Sequence, residues 1–113
     1  MKKLILLYFL HIWLVAFNYL SANTDNPITF THINIDKGLS QSTVFSIAQD
    51  RQGNMWFATF DGVNKYDGYS FKVYRHETDN SQSIANDIAR IIKSDANGQI
   101  WIGTHAGLSF YDD

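Results

Sequence analysis

A segment of this chain occurs twice, 45 residues apart. Asp50-Arg51-Gln52-Gly53-Asn54-Met55-Trp56, followed by Phe57-Ala58-Thr59 and Gly62-Val63, returns as Asp95-Ala96-Asn97-Gly98-Gln99-Ile100-Trp101, followed by Ile102-Gly103-Thr104 and Gly107-Leu108. Residues 50–67 and 95–112 agree at 7 of 18 positions, tryptophan included, and Met55/Ile100, Phe57/Ile102 and Val63/Leu108 exchange like for like. A period in this range belongs to folds in which one small unit stacks on the next, because a single unit cannot bury its own apolar face.

Each unit reads as β. Val44 to Ala48 leads into Asp50-x-x-Gly53, a hairpin turn in which glycine supplies the positive φ. Met55–Thr59 and Val63–Tyr66 follow, and Asp67-Gly68 is a two-residue hairpin signal before Phe71–Tyr74. Four short antiparallel strands in about 45 residues make one propeller blade. The second copy supplies three strands, near Ile88–Lys93, Ile100–Gly103 and Leu108–Tyr111. Upstream, Ile28–Ile35 reads as a further strand, an orphan fourth strand of the type with which propellers close, and Asp36-Lys37-Gly38 as its turn. The expected fold is therefore all-β: a partial β-propeller of about two four-stranded blades, the second incomplete, preceded by a signal-peptide helix.

Composition agrees. Apolar residues make up 45% and charged residues only 18%, with aromatics at 15%, which suits short packed strands better than solvated helices. No cysteine is present, so disulfide scaffolds, thiolate zinc sites and thiol nucleophiles are excluded. Lys2 and Lys3 precede the apolar run Leu4–Leu20, and Ser21-Ala22 ends it with small residues, the pattern of a secretory signal peptide. Removal of residues 1–22 leaves 91 residues with 7 basic and 11 acidic side chains, too acidic to hold nucleic acid. The boundaries read as 1–22 signal peptide, 23–41 leading segment with the orphan strand, 42–75 first blade, and 76–113 inter-blade loop and incomplete second blade.

Gly38-Leu39-Ser40-Gln41, Ile47-Ala48-Gln49-Asp50, Gly53-Asn54-Met55-Trp56-Phe57-Ala58-Thr59 and Asp61-Gly62-Val63-Asn64-Lys65-Tyr66-Asp67-Gly68 together resemble the first blades of two-component regulator propellers. Ser83-Ile84 and the second copy continue the pattern, with Ala58 standing where the motif has the glycine seen at Gly103. The resemblance implies the extracytoplasmic sensor region of a hybrid histidine kinase that responds to oligosaccharides. It further implies a periplasmic location, a parent anchored in the inner membrane, and partners in the same chain: further blades and downstream kinase domains. No phosphoacceptor histidine, ATP-binding lid or receiver aspartate has a matching residue here.

Among the marked residues, Trp56 and Trp101 are read as wedge fillers between sheets rather than sugar platforms. Asp50 and Asp95 are read as turn residues that accept backbone N–H groups, because a calcium loop needs more oxygen ligands at short spacing. With them Gly53, Gly62, Gly98 and Gly107 form the structural motif. The spacing from Ser94 to Trp101 approaches the aspartate-box turn of sialidase-like propellers. A glycosidase, however, needs paired carboxylates or a tyrosine with its base, and Glu77 is the single glutamate. No catalytic residue, metal site or cofactor is therefore expected. Topology puts Phe60-Asp61, His105-Ala106, residues 75–86 and 38–42 on one rim, opposite the Asp-x-x-Gly turns. Loops that vary while strands repeat are where binding resides. Phe60, Asp61, Arg75, His76 and His105 are thus the candidate ligand-binding residues. The alternative functions are a short secreted lectin-like module completed by homo-oligomerisation, or part of a sialidase-like hydrolase.

Overall fold

The computed structural model describes residues 1–18 and 26–112. It divides into two units, Met1–Thr31 and His32–Asp113. In the first, Lys2–Asn18 form helix α1. Leu4 through Leu10 are all more than half exposed and line every side of the helix, so it has no polar face of the kind a water-facing helix carries. Among the described residues, no helix is long and apolar enough to cross a membrane. The expected cleavage site at Ser21-Ala22 lies outside the described residues.

The second unit contains two antiparallel sheets. β1 (Val44–Gln49), β2 (Met55–Thr59), β3 (Val63–Tyr66) and β4 (Phe71–Tyr74) pair in sequence order, as do β5 (Ala89–Ser94), β6 (Ile100–Thr104) and β7 (Gly107–Tyr111). These are the meanders expected from the repeat, displaced by no more than a residue or two at their ends. The tight connections follow from local chemistry. Gly53 and Gly98, at φ of 89° and 81°, occupy the left-handed region that closes each Asp-x-x-Gly turn.

The register also explains why the two copies differ at Ala58 and Gly103. Ala58 lies opposite Ser46, whereas Gly103 lies opposite Ile91. A β-carbon at Gly103 would run into the Cγ2 of Ile91. Small-with-small in one blade and large-with-none in the other fill the same space.

The sheets bury one face of each against the other. Trp56, Ala58 and Val63 from the first blade meet Ala89, Ile92, Ile100 and Ile102 from the second, with Ile84 from the connecting loop. Trp56 is wholly buried, stacked on Tyr74 at 5.6 Å and packed against Tyr111 of the second blade at 4.7 Å. Lys65 lies over Trp56 and Tyr111 at 5.2 and 4.9 Å, adding a cation to the aromatic stack. Trp101, the repeat equivalent of Trp56, is only half-buried and packs on Phe110 at 5.3 Å.

One expected element is absent. Residues 26–34 form no strand, and Ile35–Lys37 is a 3-10 turn closed by Gly38. Ile28 and Phe30 are 88% and 85% exposed. A strand exists only as one side of a hydrogen-bonded ladder. Among the described residues no strand pairs with this segment, so its alternating pattern has nothing to hold it extended.

Candidate functional site

Two ends of the blade pair must be separated before any residue there can be assigned. At one end are the Asp-x-x-Gly turns. Asp50 Oδ1 accepts the Asn54 backbone N–H at 2.8 Å, and its Oδ2 accepts the Trp56 indole N–H at 2.8 Å. Asp95 repeats this, taking the N–H groups of Asn97 and Gln99 on Oδ1 and the Trp101 indole at 3.0 Å on Oδ2. Each aspartate therefore holds both its own turn and the tryptophan six residues on, which is why the repeat keeps that spacing. The two turns also touch: the Arg51 guanidinium donates to the carbonyl of Asn97. With their carboxylates occupied this way, these turns act as structural clips.

The carboxylates register these bonds. Burial pushes the Asp50 carboxyl up, but the hydrogen bonds from Trp56 and Asn54 and the Lys65 charge outweigh it, so it lies below its ordinary 3.8. The Trp101 indole, followed by backbone N–H groups, holds Asp95 below it as well. A carboxyl depressed in the folded state contributes stability that is complete above its unfolded value, near 3.9, and disappears as pH falls through the folded value. The melting temperature of the intact protein is expected to stay level from about pH 7 to 5 and to drop below about pH 4, with Asp50→Asn blunting the acid-side drop. A main drop between pH 5 and 7 would contradict this assignment.

At the other end is the rim. The Thr59 hydroxyl donates to the Gly62 carbonyl at 2.9 Å and accepts the Asp61 N–H at 3.0 Å. Thr104 holds the Gly107 carbonyl and the Ala106 N–H in the same way. Each β2–β3-type loop is thus fixed by the threonine that ends the preceding strand. Leu39 and Ile84, again 45 apart, are both buried. Beside them, Ser40 N–H donates to Asn64 Oδ1 at 2.8 Å, and Ala85 N–H to Ser109 Oγ at 3.1 Å. The buried Asn64 and Thr59 are satisfied through Ser40.

On this scaffold the five candidate rim residues fall into three groups. Asp61 and Arg75 form a bidentate ion pair at 2.9 and 2.8 Å. The Arg75 hydrogen bond holds the Asp61 carboxyl below its ordinary value. His76 stands apart from that pair: its N–H donates to Asp87 at 2.6 Å, and its Nδ1 lies 2.9 Å from the Ile84 carbonyl. Phe60 and His105 meet through a residue that sequence reasoning missed, Arg90. The Arg90 Nε–H donates to His105 Nε2 at 3.1 Å, and its guanidinium lies 4.8 and 5.0 Å from the rings of Phe45 and Phe60. Those rings meet edge to face at 4.4 Å. Loop residues Gly62 and His105 bond back to the inter-blade segment, through the carbonyls of Asp87 and Ile88. The rim is one connected surface across both blades. Among the described residues no cluster of three or more metal-ligating side chains occurs.

Residues 38–61 match the family model described as two component regulator propeller. A histidine kinase P4 of Formosa agariphila is 46% identical over 66 residues, covering 58% of this chain and 5% of that protein. Two solved extracellular domains from B. thetaiotaomicron have the same fold. BT3049, described as a hybrid two component system, superposes with a TM-score of 0.67 at 40% identity, over 75% of this chain and 12% of that one. BT4673, described likewise, gives 0.58 at 31% identity, over 63% and 10%. The chain therefore spans only a small part of each relative that it matches. It carries the propeller repeat that its sequence resembles, and its structural neighbours are extracellular domains of two-component systems.

Proposed function

From the two-component regulator propeller repeat and these extracellular neighbours, we propose that the chain is part of an exported, ligand-sensing propeller of a hybrid histidine kinase. It binds oligosaccharide outside the inner membrane and signals through phosphorelay domains elsewhere in the protein. The observation that carries the reading is the division of labour between the two ends of the blades. The repeated turns satisfy their own carboxylates, whereas the opposite rim sets chemically different residues at equivalent positions on a rigid scaffold. Fixed strands with varied loops are how such scaffolds present binding groups. The segment supplies recognition and no chemistry of its own: its rim carboxylates Asp61 and Asp87 are engaged by Arg75 and by the His76 N–H, and its single glutamate, Glu77, is exposed and accepts from Asn80. Helix α1, with its lysines at the start and apolar surface all round, fits the export role.

The test is a titration of the intact protein with oligosaccharides released from plant, algal and host polysaccharides. At least one is expected to raise the melting temperature in a saturable way, since a ligand that binds only the folded state stabilises it by mass action. No shift with any of them would overturn the reading.

A further inference from the structure

Arg90 occupies in the second blade the position that Phe45 holds in the first, and His105 the position of Phe60. Where blades meet, these four side chains form one cluster. The guanidinium sits in the corner between two perpendicular rings, and its Nε is taken by His105. The two rings and the imidazole hold the guanidinium in place through its Cζ and Nε, and among the described residues its terminal nitrogens make no side-chain hydrogen bond. Among the described residues no carboxylate pairs with Arg90. Of the other rim carboxylates, Asp61 is paired with Arg75 and Asp87 accepts the His76 N–H. A guanidinium held in place, without a carboxylate partner and exposed, is matched to a carboxylate or sulfate, which a guanidinium can grip through two parallel hydrogen bonds. Phe60, 41% exposed, adds apolar surface beside it for the C–H face of a sugar ring.

We propose that Arg90, seated on Phe45 and Phe60 and oriented by His105, is the anion-recognising residue of the rim, and that the ligand is an acidic oligosaccharide. This rests on the sensor reading above and narrows it to a ligand class. The probes are tetragalacturonate, its carboxyl-reduced neutral form and a chondroitin sulfate tetrasaccharide, each titrated calorimetrically into the intact protein and into its Arg90→Gln and Arg90→Lys variants. At least one acidic probe is expected to bind, about tenfold or more tighter than the neutral form. Arg90→Gln should lose that preference while the protein still unfolds in one cooperative transition, with Arg90→Lys intermediate because it keeps the charge without the fork. Inorganic sulfate alone should compete only weakly. Equal affinity for neutral and acidic probes, or an Arg90→Gln variant that binds the acidic probe as the parent does, would overturn the acidic-ligand proposal and leave the sensor reading standing. Binding of sulfate as tightly as the saccharide would also overturn it. If neither these probes nor any other oligosaccharide bound, both would fall.

Discussion

Replacing Trp56 by alanine in the intact protein is expected to lower its unfolding free energy by about 3–5 kcal/mol, the range for truncating a buried large aromatic. The site gives three reasons to place the effect in the upper half. Trp56 is wholly buried, so the cavity is lined on both sides by rings, Tyr74 and Tyr111, that cannot close over it together. Its indole is a hydrogen-bond donor to Asp50, and losing it removes one of the bonds to a carboxylate that is only 5% exposed, leaving Asn54 and Lys65 to hold it. It also joins the first blade to the second, so the loss reaches both sheets. Trp101→Ala is expected to be milder wherever that face stays half-open, since Trp101 packs mainly on Phe110. Urea melts compare the two variants, read from the midpoint at constant slope. A Trp56→Ala protein that kept its midpoint and lost only its saccharide response would make Trp56 a sugar platform instead.

A polypeptide of residues 23–113 alone is expected to self-associate rather than to remain a stable monomer. One face of its second blade presents Ile91, Leu108 and Phe110 at 48%, 65% and 54% exposure, around the half-buried Trp101. On the far face of the first blade, Ile47 is 55% exposed. By the offset of 45, Trp101 and Leu108 correspond to Trp56 and Val63, and Ile47 corresponds to Ile92, pairs that meet in the core between the blades. The outward faces of one copy therefore repeat the two surfaces that already pack on each other. Stacking second blade on first blade is a head-to-tail contact, which extends into rings or open oligomers. The outer edge of β7 pairs with no strand among the described residues, and such edges template association. About 91 residues bury only about 60–65% of their unfolded surface even when compact, too little to offset these faces. Sedimentation velocity across a concentration series should show mass rising with concentration. A single monomeric boundary with a cooperative unfolding transition would contradict the stacked-blade interpretation.

Much of this architecture is legible in the residues because strands with a fixed turn between them announce themselves locally. Asp50-x-x-Gly53, Asp67-Gly68 and Asp95-x-x-Gly98 mark hairpins whatever surrounds them, and the seven strands fall between such marks. What is hidden is what depends on a partner. Ile28–Ile35 has a strand's alternation but no ladder, and backbone pairing leaves no trace in one segment's own sequence. The Asp–Trp link was hidden for another reason: the spacing is visible, yet only the twist of the hairpin brings the indole over the carboxylate. Arg90 shows the opposite lesson. Its offset of 45 from Phe45 is in the sequence, but a phenylalanine and an arginine share neither shape nor charge, so the pair does not read as a repeat. Only once Phe60 and His105 are seen to meet around the guanidinium does the mismatch become a site.

The assignment of recognition to the rim and of structure to the turns is tested most directly by hydrogen exchange on the intact protein, with and without a bound oligosaccharide. Ligand is expected to slow exchange at the amides of Asp61, Arg90, His105 and Ala106, and to leave those of Gly53, Asn54, Gly98 and Gln99 unchanged. Protection at the Asp-x-x-Gly turns with none at the rim would place the ligand at the wrong end of the blades and contradict the assignment.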